Sequence, residues 1–467
     1  MQQDVEGHDP DEPSLIEDLA RYMSGVRYAE MASADIAAVR RLVLDTVGCA
    51  LGAIATDCQP AHELAGWLRM PSGPQDTATI IGSGQPRSLD SAMLYNGALV
   101  RYLDFMDVYW ARDICHPSEN IPAALAAAEA AQSNGRRLIE AIAAAYEVQI
   151  RLADAFSLQA MHMHHVSAAG FVVPLLLGKL WNLPADKLAH ACALGGFRHL
   201  TLAALVEGRL STAKTLGYAL PASECVLTTR LAARGFTGPL HALEGLWRSS
   251  GARHAPSLRD ALDVSAGTSR VRRVSLKRYP IQYALQAPVE AALHLRGDLG
   301  IRTQHLQRLQ VELPERVCRN VADPAKFAPA NRETADHSLP CCVAMAWLDG
   351  RVDARQFQTG RWRADDVRAL MTQIRVDPAP DLELQWPDGR PARVTAHLRD
   401  GTHHTAVVGV PLGDAQRPLG DADVEQKFRA QAEPVLGHAR ATEVISLVAA
   451  LEHLPDAGLL CRALRAP

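Results

Sequence analysis

The run Arg101-Tyr-Leu-Asp-Phe-Met-Asp-Val108, followed by Cys115-His-Pro-Ser-Glu-Asn120, decides how the chain is read. Two carboxylates, Asp104 and Asp107, stand about one helical turn apart, so a helical segment would place them on one face. His116 follows, and Pro117 biases its backbone toward extended geometry. Apolar, alanine-rich sequence flanks both motifs. Charges and an imidazole at a break between two apolar helices point to a lined cavity. A carboxylate held there would have a shifted pKa and could act as a base. The competing reading is a solvated helix face for the acids and a loop histidine satisfied by a backbone carbonyl.

Helical patterning extends outward from this break. Asn120 starts a helix in which Pro122 is tolerated in the first turn, and the run continues to Gln132 before Asn134-Gly135 punctuates it. Its N–H groups would favour an anion. Upstream, Ser33 is placed to cap a helix carrying Ile36, Val39, Leu42, Val43, Val47 and Leu51, with Gly52 as its end. Downstream, 139–156 and 168–180 read as helices, the second apolar on nearly every side and therefore central. Pro221 to Gly235 follows and stops at Gly-Phe-Thr-Gly-Pro.

Near residue 271 the period changes. Leu309, Val311 and Leu313 alternate as in a strand, as do Ile374 and Val376, Leu382 and Leu384, and Val394, Ala396 and Leu398. Pro387-Asp388-Gly389 and Arg399-Asp400-Gly401 supply turns, and helical stretches intervene at 286–297 and 338–348. From Asp421 to Leu464 helical spacing returns. The expected fold is mainly α: a large all-helical domain (1–270 and 413–467) with an inserted smaller α+β lid domain (271–412).

Composition narrows the function. The chain has 467 residues, 48% hydrophobic and 21% charged, with a net charge of -4, which gives no electrostatic case for nucleic acid. Nine cysteines without Cys-x-x-Cys spacing argue against a disulfide framework, a zinc ribbon and a local iron–sulfur motif. The acidic, polar start is not a signal peptide, and the longest apolar run, about 168–178, is too short to span a bilayer. A soluble, cytoplasmic protein is expected. Met161-His-Met-His-His165 lacks the zincin spacing, so no metal is expected there and one catalytic histidine is the better reading. Lys214, in Ser211-Thr-Ala-Lys-Thr215, and Lys277-Arg278 would supply cations for a multiply charged substrate. Asp336-His337-Ser338 reads equally as a helix N-cap.

Taken in order, Asn96-Gly97 leading to Leu103-Asp-Phe105, His116-Pro-Ser118, Ala213-Lys214, Arg234-Gly-Phe-Thr-Gly-Pro239, Lys277-Arg-Tyr-Pro280 and Asp336-His337-Ser338 resemble the MmgE/PrpD family across nearly the whole chain. That family includes 2-methylcitrate dehydratase, cis-aconitate decarboxylase and an iminodisuccinate epimerase. The resemblance implies a homodimer whose active site lies between the two domains, acting on a small carboxylate without a cofactor. It matches Asp104, His116 and His165 to active-site residues and Lys214 and Lys277 to pocket lysines; Arg278 and His337 join Lys277 as substrate-binding candidates. Which residue is acid and which base stays open. Val108 and Cys341 replace the family's usual threonine and tyrosine, removing two hydroxyls, and Gln282 replaces a usual His or Glu. The expected activity is dehydration of a 2-methylcitrate-like hydroxy-polycarboxylate by metal-independent acid–base catalysis. The alternatives are a decarboxylase or epimerase of a related acid, or a carboxylate-binding protein without turnover.

Overall fold

The computed structural model describes residues 13–249, 262, 269–300, 305–385 and 389–467. The chain is mainly helical. The first body contains α1 (Leu15–Gly25), α2 (Ser33–Ala55), α3 (Leu89–Tyr102), α4 (Ile121–Ala130), α5 (Gly135–Ala155), α6 (Ala169–Leu180), α7 (Ala185–Gly196) and α8 (Ala219–Ala233). Local chemistry starts several of these helices. Ser14 and Glu17 form a reciprocal capping box at α1, and Asn134 accepts from the Arg137 N–H at α5. Every residue of α6 is buried, which its uniform apolarity required. It can pack closely on α7 because Gly170 and Gly195 face each other: a Cβ on Gly170 would sit 2.6 Å from the Gly195 carbonyl.

The second body holds α9 (Gln286–Leu299), α10 (Leu339–Asp349) and a four-stranded sheet of β1 (Leu306–Leu313), β2 (Ile374–Pro378), β3 (Ala392–Leu398) and β4 (His403–Val408). The strand order is β2-β1-β3-β4, with β1 and β2 parallel and the remaining pairs antiparallel. Val311 pairs with both Val376 and Val394, and the alternating apolar residues of β1 are buried in the same core as α9, which packs on β3 and β4, and α10, which packs on β2. The kinked helical segment α11 (Asp421–Ala449), broken at Gly437 where φ is 73°, then returns to pack along α2. Two hydrophobic cores result. One draws on residues from Leu15 to Leu276 and again from Leu419 to Leu464; the other runs from Ile281 to Val408.

Several local expectations are corrected. Helix α3 ends at Tyr102 and Asp104 adopts a left-handed φ of 51°, so Asp104 and Asp107 share no helix face. Ser33 is the first helical residue rather than the cap, and α2 runs past Gly52 to Ala55. Leu382 and Leu384 are not in a strand: Pro380–Glu383 forms a helical turn and Leu384 is exposed. Pro380 at the start of that turn explains the switch, since its fixed φ suits a first helical position and it has no N–H to give a sheet. Pro387 and Asp388 lie outside the described residues. His162 is left-handed and exposed, whereas His165 is buried.

Candidate active site

The site forms where several chain segments meet at the junction of the two bodies, and three of them hold the charged centre. The loop after α3 carries Asp104, and its Val108 exchanges backbone hydrogen bonds of 2.9 and 2.8 Å with Ser275. That bridge puts Lys277 beside Asp104. The turn before α10 brings in Asp336 and His337. There Ser338 serves as the N-cap, accepting from the Cys341 N–H, which frees the two residues before it to face the site.

Asp104 is the electrostatic centre. Its carboxylate accepts from Lys277 Nζ at 2.7 Å and Arg101 Nη1 at 2.9 Å, and lies 3.3 Å from Lys214 Nζ. Burial alone would raise its pKa, but Lys214, Lys277 and Arg101 outweigh burial and hold it well below the usual carboxylate range. Lys277 also donates to the Asp104 carbonyl at 2.8 Å. Burial pushes Lys277 down to about 8 despite the opposing pull of Asp104. Lys214 reaches His337 Nδ1 at 3.5 Å and Asp336 at 3.6 Å.

His116 takes extended backbone geometry (φ -121°) and its ring lies over the first loop. Its Nδ1 is 2.5 Å from the Asp107 carbonyl oxygen. A carbonyl can only accept, so Nδ1 bears the hydrogen and a neutral ring keeps its lone pair on Nε2. Burial, reinforced by Arg101 and Lys277, holds the His116 pKa well below its ordinary value, so the ring is neutral near pH 7. His165 stands edge-on to it at 5.2 Å between centroids and is likewise held neutral, mainly by burial.

Asp107 has a different task. It accepts from the Ser118 N–H and hydroxyl at 3.1 and 2.6 Å and from the Tyr146 hydroxyl at 2.8 Å. It thus occupies the N-terminus ahead of α4 that was read from sequence as an anion site. Burial raises its pKa to about 6 against those hydrogen bonds.

Arg101, Asp104, His116, His165, Lys277 and His337 line one cavity of about 130 Å³, and Lys214 lies just behind Asp104. Arg278 is not brought together with them. Successive residues of an extended segment point to opposite sides, so Lys277 faces in while Arg278 is exposed and lines a separate cleft of about 720 Å³ beside Lys427. Gln282 lines the small cavity. The side chains of Val108 and Cys341 are fully buried and do not line it.

Sequence reading passed over Arg101, Glu119, His164 and Asp336. Arg101 was detectable as the i,i+3 partner of Asp104. Glu119 is fully buried, neither of its oxygens accepts a hydrogen bond, and its charged partner is Arg101 at 3.6 Å. His164, in the same run as His165, also lines the cavity.

Two family models match the chain: the MmgE/PrpD N-terminal domain over residues 17–253 and the MmgE/PrpD C-terminal domain over residues 279–453. The chain belongs to the MmgE/PrpD family. The second model takes in all of α11, whose core residues pack with the first body, so the boundary between models is not the boundary between cores. Among MmgE/PrpD relatives, cis-aconitate decarboxylase of Mus musculus is 25% identical, over 97% of this chain and 94% of the mouse protein. 2-Methylcitrate dehydratase of Cupriavidus necator is 26% identical over 90% of each chain, and that of Escherichia coli K12 is 25% identical over 88% and 90%. Both names occur at the same level of identity, so identity does not choose between them.

Proposed function

We propose that this MmgE/PrpD member is a hydro-lyase that removes water from a 2-methylcitrate-like hydroxy-polycarboxylate, using its own side chains for proton transfer. The observation that carries the reading is the pairing of opposite proton states in one cavity: a neutral imidazole, His116, facing a protonated amine, Lys277.

In this reading His116 Nε2 takes the proton alpha to a carboxylate. The C–H electrons form the alkene as the tertiary C–O bond breaks, and Lys277 protonates the departing hydroxyl, giving water. Two donors of Lys277 are held by Asp104, which leaves one for the substrate. Asp104 is too acidic to serve as base near neutrality, so it is a positioning residue that aligns Arg101, Lys214 and Lys277. Those cations stabilise the negative charge that grows on the carboxylate as the proton leaves. His165 is the second imidazole able to accept or return a proton, and Asp336, which accepts from His337 Nδ1, helps to orient Lys214.

A second copy of this chain is proposed to cover an apolar face of the first body. Leu220 and Leu227, seven apart on α8, are exposed there beside Trp67, which is 86% exposed, and Met70.

Incubation of chelator-treated protein with 2-methylcitrate, citrate, cis-aconitate and a chiral amino-dicarboxylate tests the activity. A conjugated alkene supports dehydration. Released CO2 instead supports decarboxylation, and solvent deuterium with inversion supports epimerisation. Ligand-induced thermal shift without turnover on any acid supports a binding protein.

A further inference from the structure

The candidate cavity carries its lysine and arginine at the buried end only, while uncharged or acidic groups, Gln159, Asn320 and Glu207, stand at its exposed rim. Its floor is buried and charged; its middle is formed by half-buried apolar side chains, Trp110, Ile114, Met163 and Val206; its exposed rim carries Glu207. The floor has little positive charge to spare. Arg101, Lys214 and Lys277 all converge on Asp104, Lys214 also faces Asp336, and Arg101 faces Glu119. Arg332 also lies 3.6 Å from Asp336, so four cations stand against three carboxylates, Asp104, Asp336 and Glu119, and little net positive charge remains for a ligand. Arg101 and Lys277 are the lysines and arginines among the described residues that line the cavity, and both belong to the floor. Arg390 lies near the apolar section, but it packs over the Trp110 ring at 5.6 Å and donates to the Trp110 and Gly389 carbonyls. The nearby carboxylate of Asp113 accepts from the Ile114 N–H at 2.8 Å. A substrate carboxylate placed in this middle section would lose water against apolar walls and meet Asp113 and Glu207 rather than a cation.

We propose that the substrate carries, on the side away from Lys277, an alkyl substituent longer than methyl, seated against Trp110, Ile114, Met163 and Val206. This rests on the cavity being the site of elimination. It narrows the substrate from polycarboxylates at large to alkyl-substituted ones, with those four residues setting specificity. Binding of each added methylene against such a wall is worth about 0.8 kcal/mol, roughly a fourfold gain.

The test is a chain-length series. For the hydrogen, methyl, ethyl and propyl members of the 2-alkylcitrates, kcat/KM for alkene formation should rise about fourfold per methylene. A flat or falling series in which 2-methylcitrate still turns over overturns the alkyl assignment and leaves the elimination reading intact. If no member yields alkene, the elimination reading fails, and calorimetry with 2-alkylsuccinates decides the pocket separately. A Kd that tightens at least threefold per methylene keeps the apolar subsite, whereas an unchanged Kd removes it. Val206→Arg should lower kcat/KM, or 2-alkylsuccinate affinity, at least tenfold for the propyl member and reverse the order of the series. An equal loss for every member, with Tm unchanged, overturns the role of Val206.

Discussion

At the scale of single residues, His116 and Lys277 owe their opposite proton states to different balances of the same forces. Both are buried, and burial disfavours the charged form of each. For His116 the neighbouring cations add to that effect. For Lys277 the Asp104 carboxylate opposes it and leaves the amine near 8. Two expectations follow from the proposed roles. His116→Gln should lower kcat by roughly 10²- to 10⁴-fold with the fold intact, measured by alkene formation and Tm; near-native kcat would remove His116 from the chemistry. Because Lys277 must carry its proton to act as acid, kcat/KM should fall as pH rises through about 8. Lys277→Arg, whose guanidinium stays protonated, should abolish that alkaline limb even though its geometry lowers kcat. A limb that persists at the same pH in the variant would assign the titration to another group.

At the scale of elements, one short extended segment positions the acid. Ser275 is bonded to Val108 on the first body, and the Leu276 N–H donates to the Gly413 carbonyl at 2.8 Å on the chain returning toward α11. Lys277 is therefore clamped from both sides before the second body begins. Gly413 has a φ of 99°, and a Cβ there would sit 2.0 Å from the Leu276 carbonyl oxygen. Gly413→Ala combines backbone strain with a collision against main chain and should destabilise the protein by about 1–3 kcal/mol, read by urea denaturation. It should also reduce kcat by shifting Lys277, an effect that a substitution destabilising only the distant helices would not produce.

At the scale of the molecule, the buried histidines tie stability to pH. His116, His164, His165 and His337 all have depressed pKa values, mainly through burial, with His164 near 3 and His337 near 4. In the unfolded chain each would titrate near 6.5. Below that pH the unfolded state binds protons that the folded state refuses, so stability falls as pH drops from about 6.5 toward 4. Asp107 and Glu119, raised by burial to about 6 and about 7, act in the opposite sense because the folded state protonates them first, so denaturation midpoints measured at pH 7.5, 6, 5 and 4 should decline by the net of four rings against two carboxylates; a flat or rising profile would show that the rings do not dominate. The proposed dimer is checked by light scattering after chromatography: Leu227→Asp should convert a dimer to monomer, and a monomeric wild type would remove the proposal.

Sequence by itself determined the element types and their order, because helix and strand periods were long and clean: the apolar run of α6, the alternation in β1 and β3, and the return to helix at Asp421. It also supplied, through the ordered motifs, Asp104, His116, His165, Lys277 and His337, which line one cavity, and Lys214 beside it. It could not assign Leu382–Leu384, where a short apolar alternation was overruled by Pro380, nor separate Lys277 from Arg278, which are neighbours in the chain but face different cavities. Only the tertiary structure decided the division of labour between the two aspartates. Asp107 meets Ser118 and Tyr146, so it acts as a cap, whereas Asp104 meets three cations contributed by α3, the segment before α8 and the extended segment after Ser275. The physical reason is that a carboxylate's role depends on the charges and donors within a few ångströms of it, and for Asp104 two of the three cations, Lys214 and Lys277, arrive from positions more than a hundred residues away.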